Sequence, residues 1–356
     1  MVSTKGEVFN HKQAAKKSIK CVVWDLDNTL WDGVLLEDDR VELRNQVVEI
    51  IKTLDSRGIL QSIASKNDAD KAMTQLQEFE LHEYFLYPQI NWNSKSSSIR
   101  EIAQSLNLGL DTFAFIDDQL FELEEVNFSL PEVLCINAAE LAHLLDLPEM
   151  NPRFITKDSK IRRLMYISDI VRNNSETKFV GTQEEFLATL NMTFTISSAQ
   201  EEDLQRAEEL TVRTNQLNTT GYTYSYDELN HFRQSDRHKL LIASLDDKYG
   251  SYGKIGLILV ECQELVWTIK LLLMSCRVMS RGVGTIMLNY IMTLAKNNNV
   301  RLHSEFLSND RNRMMYVSYK FAGFQEIAKQ GDLQILENDL TRIQPLPEYV
   351  NVKILN

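Results

Sequence analysis

Apolar residues recur along the first 150 residues in two alternating patterns. A short continuous apolar run, typical of a strand buried on both faces of a parallel sheet, occurs at residues 21–24, and mainly apolar segments at residues 59–64 and 112–116 predict two further buried strands. Between them lie longer segments with helical spacing, of which residues 41–57 are the first. The same patterns predict further strands at residues 84–87 and 133–136 and helices at 68–79, 95–106 and 138–145. Alternating strands and helices predict an α/β domain with a doubly wound parallel sheet.

A polar, proline-punctuated segment at residues 147–152 predicts a junction between two domains. We expect an N-terminal extension at residues 1–18, a first domain at 19–150 and a second domain at 151–356. After the junction, a basic helix is predicted at residues 157–172, where it packs on the first domain. Three antiparallel strands then lead through a glycine-bearing loop into an apolar helix, which predicts a mixed α/β domain.

The amino-acid composition indicates which classes of protein the chain can belong to. At 356 residues, with 44% hydrophobic and 25% charged residues, the chain has the length and balance of two globular domains. A net charge of −12 argues against binding to nucleic acids and anionic membranes, because both require clustered basic residues. The four cysteines form no C-x-x-C pair, and no apolar run reaches membrane-spanning length. A cytoplasmic enzyme with reduced thiols is therefore expected.

Polar side chains follow the predicted strands where each one ends. The carboxyl ends of parallel strands meet at one edge of a sheet, which is where open α/β folds bind ligands. Carboxylates there favour Mg²⁺, while hydroxyl and ammonium groups bind phosphate oxygens. The residues expected at this edge are Asp25, Asp27, Thr29, Ser65, Lys95, Asp117 and Asp118. They predict a magnesium-dependent phosphate site at this edge of the sheet.

Along the chain these residues follow one another as a pair of acids, a serine, a lysine and a second pair of acids. This order resembles the four motifs of the haloacid dehalogenase-like (HAD-like) phosphatases. The resemblance implies that Asp25 is a nucleophile that forms an aspartyl-phosphate and that Asp27 is the general acid and base. It further implies that Ser65 and Lys95, with Thr29 nearby, hold the phosphoryl group. The metal ligands it implies are Asp25 and Asp27, and either Asp117 or Asp118 completes the set.

The sequence around these motifs resembles the FkbH-like branch of that superfamily, which comprises the glyceryl transferases of polyketide assembly. The matching segments are K-C-V-V-W-D-L-D-N-T-L-W, I-A-S-K-N, I-N-W-N-S-K and F-I-D-D. The chain departs from that branch at Asp32, where glycine is usual, and at Gln119-Leu120, where Asn-Pro is usual. The resemblance implies transfer of a glyceryl group from 1,3-bisphosphoglycerate to the phosphopantetheine thiol of an acyl carrier protein.

The second half resembles the fold of GCN5-type N-acetyltransferases (GNAT). The resemblance rests on a strand, the glycine-bearing loop at residues 274–284, a helix, a further strand and helix, and a G-F pair. Met279 stands where arginine or glutamine is usual, so the expected feature is a groove for a pantetheine arm rather than acetyltransferase activity. The residues expected to bind the acyl or pantetheine group are Asn215, Gln216, Asn218, Arg277, Arg281 and Gly282.

Cys276 is the cysteine expected to form a thioester. It lies in a strand-to-helix loop that also carries Arg277 and Arg281, and nearby cations with a helix N-terminus favour the nucleophilic thiolate. The loop also resembles FkbH-like proteins in its sequence, which reads S-C-R-V followed by R-G-V, although those proteins often carry Glu where Gly284 stands. The alternative is Cys21, which precedes Asp25 by four strand residues, roughly 13 Å, and is expected to be buried toward the other end of the sheet.

Two other functions stay open. One is a magnesium-dependent phosphatase of a small phosphate ester that transfers no acyl group. The other is a scaffold that binds carrier protein without catalysis. Carrier proteins are usually acidic, so binding one requires a local basic patch on this acidic chain. The candidate patch comprises Lys157, Lys160, Arg162 and Arg163.

Overall fold

The computed structural model describes residues 18–355. The predicted N-terminal extension therefore lies, except for its last residue, outside the described part of the chain. The chain divides into two compact units between Val171 and Arg172. The predicted junction between residues 150 and 151 stays a prediction.

The first unit contains a five-stranded parallel sheet with helices between its strands. Its elements run β1 (Cys21–Trp24), β2 (Trp31–Asp32), β3 (Glu42–Leu43), α1 (Val47–Ser56), β4 (Leu60–Ser65), α2 (Ala69–Glu78), β5 (Gln89–Ile90), α3 (Lys95–Leu106), β6 (Phe113–Asp117), α4 (Leu120–Ser129), β7 (Leu134–Asn137), α5 (Lys157–Lys160) and α6 (Arg162–Lys178), the last of which continues into the second unit. The strand order is β5-β4-β1-β6-β7, so β1 lies at the centre.

The burial of β1 explains its continuous apolar sequence. Successive side chains of a strand point to opposite faces of the sheet. Cys21 and Val23 belong to one apolar core, whereas Val22 and Trp24 belong to another. All four side chains are fully buried, as the run of apolar residues predicts for a central parallel strand.

Two predicted elements of the first unit are wrong in their bounds or type. The helix expected at residues 41–57 begins only at Val47, because Glu42–Leu43 pairs with Trp31–Asp32 and Gln46 has a φ of 68°. The strand expected at residues 84–87 is a 3₁₀ turn followed by a single bridge between Gln61 and Phe85. In both cases pairing with a distant segment overrides the local pattern.

The second unit is built on one eight-stranded mixed sheet. After α6 it contains α7 (Gln183–Ala188), β8 (Met192–Ser198), α8 (Leu204–Arg213), α9 (Tyr226–Gln234), β9 (His238–Asp247), β10 (Gly250–Cys262), β11 (Val266–Met274), α10 (Val283–Asn297), β12 (Arg301–Leu307), α11 (Arg313–Phe321), β13 (Gln325–Gln330), β14 (Leu333–Asn338) and β15 (Val350–Leu355). The strand order is β13-β14-β12-β11-β10-β9-β8-β15. The antiparallel pairing of β9, β10 and β11 is as predicted.

The predicted fold class is confirmed by these two sheets. A doubly wound, HAD-like parallel sheet is followed by a GNAT-like mixed α/β sheet. Among residues 18–355, no helix combines the length and apolar character that crossing a membrane requires.

A buried ion pair stabilises the second unit. Arg172 donates to both carboxylate oxygens of Asp247, at 2.6 and 2.9 Å. The hydroxyl of Tyr252 and the backbone N–H of Tyr249 also donate to this carboxylate. The charge of Asp247 is thus fully surrounded by donors, and the pair is buried on both sides.

We expect Arg172→Met to lower the free energy of unfolding of the protein by about 3 kcal/mol, because it leaves the Asp247 carboxylate buried without its cation. Urea unfolding measures the change. The control is Arg301→Met, which removes the exposed partner of Glu337 and is expected to have little effect. The double variant Arg172→Met/Asp247→Leu should regain much of the loss, and an Arg172→Met protein as stable as the wild type would contradict the role of the pair.

Candidate active site

Three carboxylates converge at the carboxyl edge of the first sheet. Asp25, Asp117 and Asp118 each offer one oxygen, and these oxygens lie within 4.8 Å of one another. The parallel register places Trp24 opposite Ile116, so the residues that follow the two strands emerge side by side. The structure thus brings both Asp117 and Asp118 to Asp25.

The ammonium group of Lys95 lies within this cluster. Its Nζ forms an ion pair with Asp25, lies 3.1 Å from Asp117 Oδ2 and donates to the Ala64 carbonyl at 2.9 Å. Lys95 is the first residue of α3, and the hydroxyl of Ser94 caps that helix. The helix start thereby fixes the cation between two carboxylates.

Burial and charge act in opposite directions at this cluster. Burial alone would lower the pKa of Lys95, but the charges of Asp25 and Asp117 outweigh it and raise that pKa. Burial, followed by the charge of Asp25, raises the pKa of Asp117 to about 6. The two carboxylates therefore favour the protonated form of Lys95, which is suited to hold phosphate oxygens.

The two predicted hydroxyl groups differ in their surroundings. Thr29 is fully buried, where its Oγ1 accepts the Asp118 backbone N–H at 3.0 Å and lies 3.5 Å from Asp118 Oδ1. Thr29 therefore orients Asp118. Ser65 is buried as the last residue of β4, at the same sheet edge as Asp25.

The side chain of Asp27 has a separate environment. Its Oδ1 accepts from Trp31 Nε1 at 2.8 Å and from the Leu35 backbone N–H at 3.1 Å, while its Oδ2 accepts from Asn67 Nδ2 at 2.9 Å. Burial raises the pKa of Asp27, although the hydrogen bonds from Leu35 and Trp31 oppose the rise. Its carboxylate does not belong to the cluster with Asp25. Trp31 and Asn67 were not predicted as functional residues, although both lie within the quoted motif segments.

The cluster fits a hard divalent cation. All three side chains offer carboxylate oxygens, the donors that Mg²⁺ prefers, and Asp25 and Asp117 are almost fully buried. Asp25, Asp117 and Asp118 are thus the residues that could hold a metal through their side chains. The side chain of Asp27, which was also predicted as a metal ligand, lies outside this group.

We expect Lys95→Met to reduce the stability of the metal-free protein by about 3 kcal/mol, because two buried carboxylates lose their common cation. Mg²⁺ should then raise the melting temperature of this variant more than that of the wild type, since the carboxylates gain a cation that Lys95 no longer competes with. Thermal unfolding with and without Mg²⁺ measures both effects. Lys71→Met, which removes an exposed cation from α2, is the control. An equal response to Mg²⁺ in all three proteins would refute the role of Lys95 as the common cation.

Cys276 lies in the second unit, in a 3₁₀ turn between β11 and α10. Its side chain is half-buried, and its Sγ lies 3.8 Å from Gln216 Oε1. The predicted neighbour Gln216 is thus in contact with the thiol, while Asn215 beside it is exposed. The structure brings Cys276 and Gln216 together.

The two arginines near Cys276 form contacts with other residues. Arg281 is buried and forms an ion pair with Glu176 at 2.9 Å. Arg277 donates to the Tyr252 carbonyl at 2.7 Å. The electropositive loop expected from the sequence is therefore partly neutralised, because Glu176 is remote in sequence and its approach is decided by the fold.

Gly282 begins the helix that follows the thiol loop. It has a φ of 76° and caps α10, and an added Cβ would lie 2.5 Å from the Tyr349 hydroxyl. Both the left-handed backbone and the close approach of Tyr349 therefore require glycine here. This gives Gly282 a conformational role besides its predicted binding role.

The groove expected for a pantetheine arm is filled by the chain itself. β11 and β12 pair only as far as Ile269 and Ser304 and then diverge. Residues 217–219 lie along the freed edge of β11, where the Thr219 N–H donates to the Leu272 carbonyl at 3.1 Å. On the other side, Leu307 of β12 donates its N–H to the Thr219 carbonyl at 3.1 Å.

Asn218, predicted to bind the acyl or pantetheine group, is fully buried in this segment. Its Oδ1 accepts the backbone N–H groups of Thr220 and Gly221. Asn312 donates from its side-chain amide to the Asn218 carbonyl at 3.1 Å. The amide-rich sequence of this loop thus serves to close the gap between β11 and β12.

The basic patch proposed for a carrier protein does not form as expected. Arg162 is buried and donates to the Gly58 carbonyl, and Arg163 is bound to Asp55. The remaining members, Lys157 and Lys160, are exposed. Two of the four expected charges therefore serve the fold of the first unit.

Cys21, the alternative thiol, is fully buried at the start of β1. Burial raises the pKa of its thiol far above the ordinary range. A substrate has no direct access to this side chain.

Comparisons with known proteins found similarity to phosphatases and to an acetyltransferase. Human magnesium-dependent phosphatase 1 is 28% identical over an alignment of 127 residues, and the match covers 30% of this chain and 72% of the phosphatase. The phosphatase-containing N-terminal part of protein BF1531 from Bacteroides fragilis, solved with Mg, is 29% identical with a TM-score of 0.33. That match covers 38% of this chain and 41% of the other. No family model matches the chain.

A solved acetyltransferase is also similar to the chain. The ribosomal-protein-S18-alanine N-acetyltransferase from Escherichia coli is 17% identical with a TM-score of 0.33, and the match covers 44% of this chain and 97% of the acetyltransferase.

Proposed function

We propose that the chain is an enzyme of the FkbH-like type, a glyceryl transferase. It takes 1,3-bisphosphoglycerate, removes both phosphates and loads the glyceryl group onto the phosphopantetheine thiol of an acyl carrier protein, in cytoplasmic polyketide-type biosynthesis. The observation that carries the proposal is the cluster of Asp25, Lys95 and Asp117, a buried cation between carboxylates at the ligand-binding edge of the sheet. Similarity to a magnesium-dependent phosphatase supports Mg²⁺ as its metal.

The 3-phosphate is removed at this cluster. An oxygen of Asp25 attacks phosphorus, and the bond from phosphorus to the ester oxygen breaks. Asp27 gives its proton to the departing oxygen and later takes one from the water that hydrolyses the aspartyl-phosphate. Lys95 offsets charge on the phosphoryl oxygens. Mg²⁺ held by Asp25, Asp117 and Asp118 would neutralise further charge on the same oxygens.

The 1-phosphate must leave by another route. Attack at its phosphorus would leave a free carboxylate and lose the activation that a thioester requires. The thiolate of Cys276 instead attacks the acyl carbon, and phosphate departs with the electrons of the broken carbon–oxygen bond. The carrier thiolate then attacks the enzyme thioester, and the Cys276 thiolate is released.

Intact-protein mass spectrometry tests the proposal. The protein is incubated with Mg²⁺ and enzymatically generated 1,3-bisphosphoglycerate, and a gain of one glyceryl group is expected. A holo-carrier protein added afterwards should remove this mass. Phosphate release without any mass gain would refute acyl transfer.

A magnesium-dependent phosphatase of a small phosphate ester is the second candidate. The filled gap between β11 and β12 favours it, because an extended arm finds no free strand edge there. It predicts many turnovers per protein and no adduct on Cys276.

A further inference from the structure

We propose that Asn67 and Trp31 are positioning residues for Asp27, holding its carboxyl group so that it transfers a proton to and from the reacting oxygens. This inference rests on the proposed phosphoryl transfer and assigns two residues that have no part in binding phosphate or metal. The geometry that carries it is the complete set of hydrogen bonds around one side chain.

The first observation is that both oxygens of Asp27 are fixed. Oδ1 accepts two N–H groups, from the Trp31 indole at 2.8 Å and the Leu35 backbone at 3.1 Å. Oδ2 accepts one, from the Asn67 amide at 2.9 Å. Rotation of the carboxyl group about its last bond would break all three contacts, so its orientation is determined.

The number of hydrogen bonds that each Asp27 oxygen accepts also indicates which oxygen carries the exchangeable proton. A carboxylate oxygen has two lone pairs in the plane of the group. Both lone pairs of Oδ1 are occupied by donors, whereas Oδ2 keeps one that can carry a proton. The structure thus assigns proton transfer to Asp27 Oδ2, the oxygen bound by Asn67.

The two donors are themselves held rigidly. Trp31 is fully buried and belongs to β2, which pairs with β3. Asn67 is 2% exposed, and its Oδ1 accepts the backbone N–H of Asp68, the residue that caps α2. Precise placement of a catalytic group depends on such support, since small displacements cost large factors in rate.

A comparison with Asp25 shows why the two acids take different roles. Asp25 forms an ion pair with the Lys95 ammonium group. Asp27 receives only neutral donors and is partly withdrawn from water. Neighbouring carboxyl groups in different environments commonly divide nucleophilic and acid–base work in this way.

The test compares two esters whose leaving groups differ in their need for a proton. Nitrophenolate departs from 4-nitrophenyl phosphate without protonation, whereas the alkoxide of 3-phosphoglycerate requires an acid. We expect Asn67→Leu to lower kcat/KM for 3-phosphoglycerate by about tenfold to a hundredfold and that for 4-nitrophenyl phosphate by less than about threefold. The ratio kcat/KM is used because it reports the step that forms the aspartyl-phosphate, before the water step common to both esters.

Trp31→Phe is the second variant, since it removes only the indole donor and keeps an aromatic ring in the core. It should show the same selective loss. Asn151→Ala is the control, because the side-chain amide of Asn151 donates to the Leu145 and Leu147 carbonyls away from the site, and this variant should hydrolyse both esters as the wild type does. Thermal unfolding of each protein verifies that it is folded.

Equal losses for both esters, or no loss, in folded Asn67→Leu and Trp31→Phe would overturn the positioning role. Failure of the proposed function gives a different result. In that case the wild type hydrolyses neither ester, or its hydrolysis survives Asp25→Asn.

Discussion

Replacing Asp25 by asparagine is expected to lower phosphate release from a phosphate ester by at least about a thousandfold, because the amide is a poor nucleophile and forms no aspartyl-phosphate. The side chain is 6% exposed and lies against Lys95. Asparagine keeps its shape, so the fold should survive. Release of inorganic phosphate in the presence of Mg²⁺ measures the loss.

The same variant separates the two halves of the proposed reaction. With 1,3-bisphosphoglycerate, Asp25→Asn should still load Cys276, but the mass gain should be that of a phosphorylated glyceryl group. Asp39→Asn makes the same change at an exposed acid and should behave as the wild type. A dephosphorylated glyceryl group on the Asp25→Asn protein would contradict the division of labour between the two sites.

Replacing Cys276 by alanine is expected to eliminate the glyceryl adduct entirely while phosphate release continues. The side chain is half-buried and in contact with Gln216, so losing one sulfur atom should disturb the fold little. No other residue would then hold the acyl group as a thioester. Intact-protein mass spectrometry with 1,3-bisphosphoglycerate measures the adduct.

Cys262→Ala is the matched control for this change, because Cys262 is a half-buried thiol at the end of β10. It should keep the adduct. An adduct that survives Cys276→Ala and disappears in Cys21→Ala would show that the buried thiol of β1 is the nucleophile. Since Cys21 is fully buried, that result would require the first unit to open.

The parallel sheet and its chemistry could be predicted because both are local. An apolar run such as Cys21–Trp24 is stable only when both faces are covered, which is the property of a central parallel strand. Polar residues that follow such runs must meet at one edge, so the approach of Asp117 to Asp25 is a consequence of strand order. The position of Lys95 at a helix start is likewise visible in the sequence.

The directions of individual side chains could not be predicted in this way. Asp27 is bound by Asn67, and the Arg281 charge is neutralised by Glu176. Each contact joins residues that are 40 or 105 positions apart. Local hydrophobic patterns carry no information on such pairs.

The sequence by itself determined the two fold classes and the set of residues at the carboxyl edge of the first sheet, since burial of alternating or continuous apolar residues dictates both. Only the tertiary structure decided which acids share a cation, which one is held by neutral donors, and that residues 217–219 occupy the gap between β11 and β12. The physical reason is that hydrogen bonds and ion pairs act over a few ångströms. They therefore depend on which distant segments the completed fold brings together.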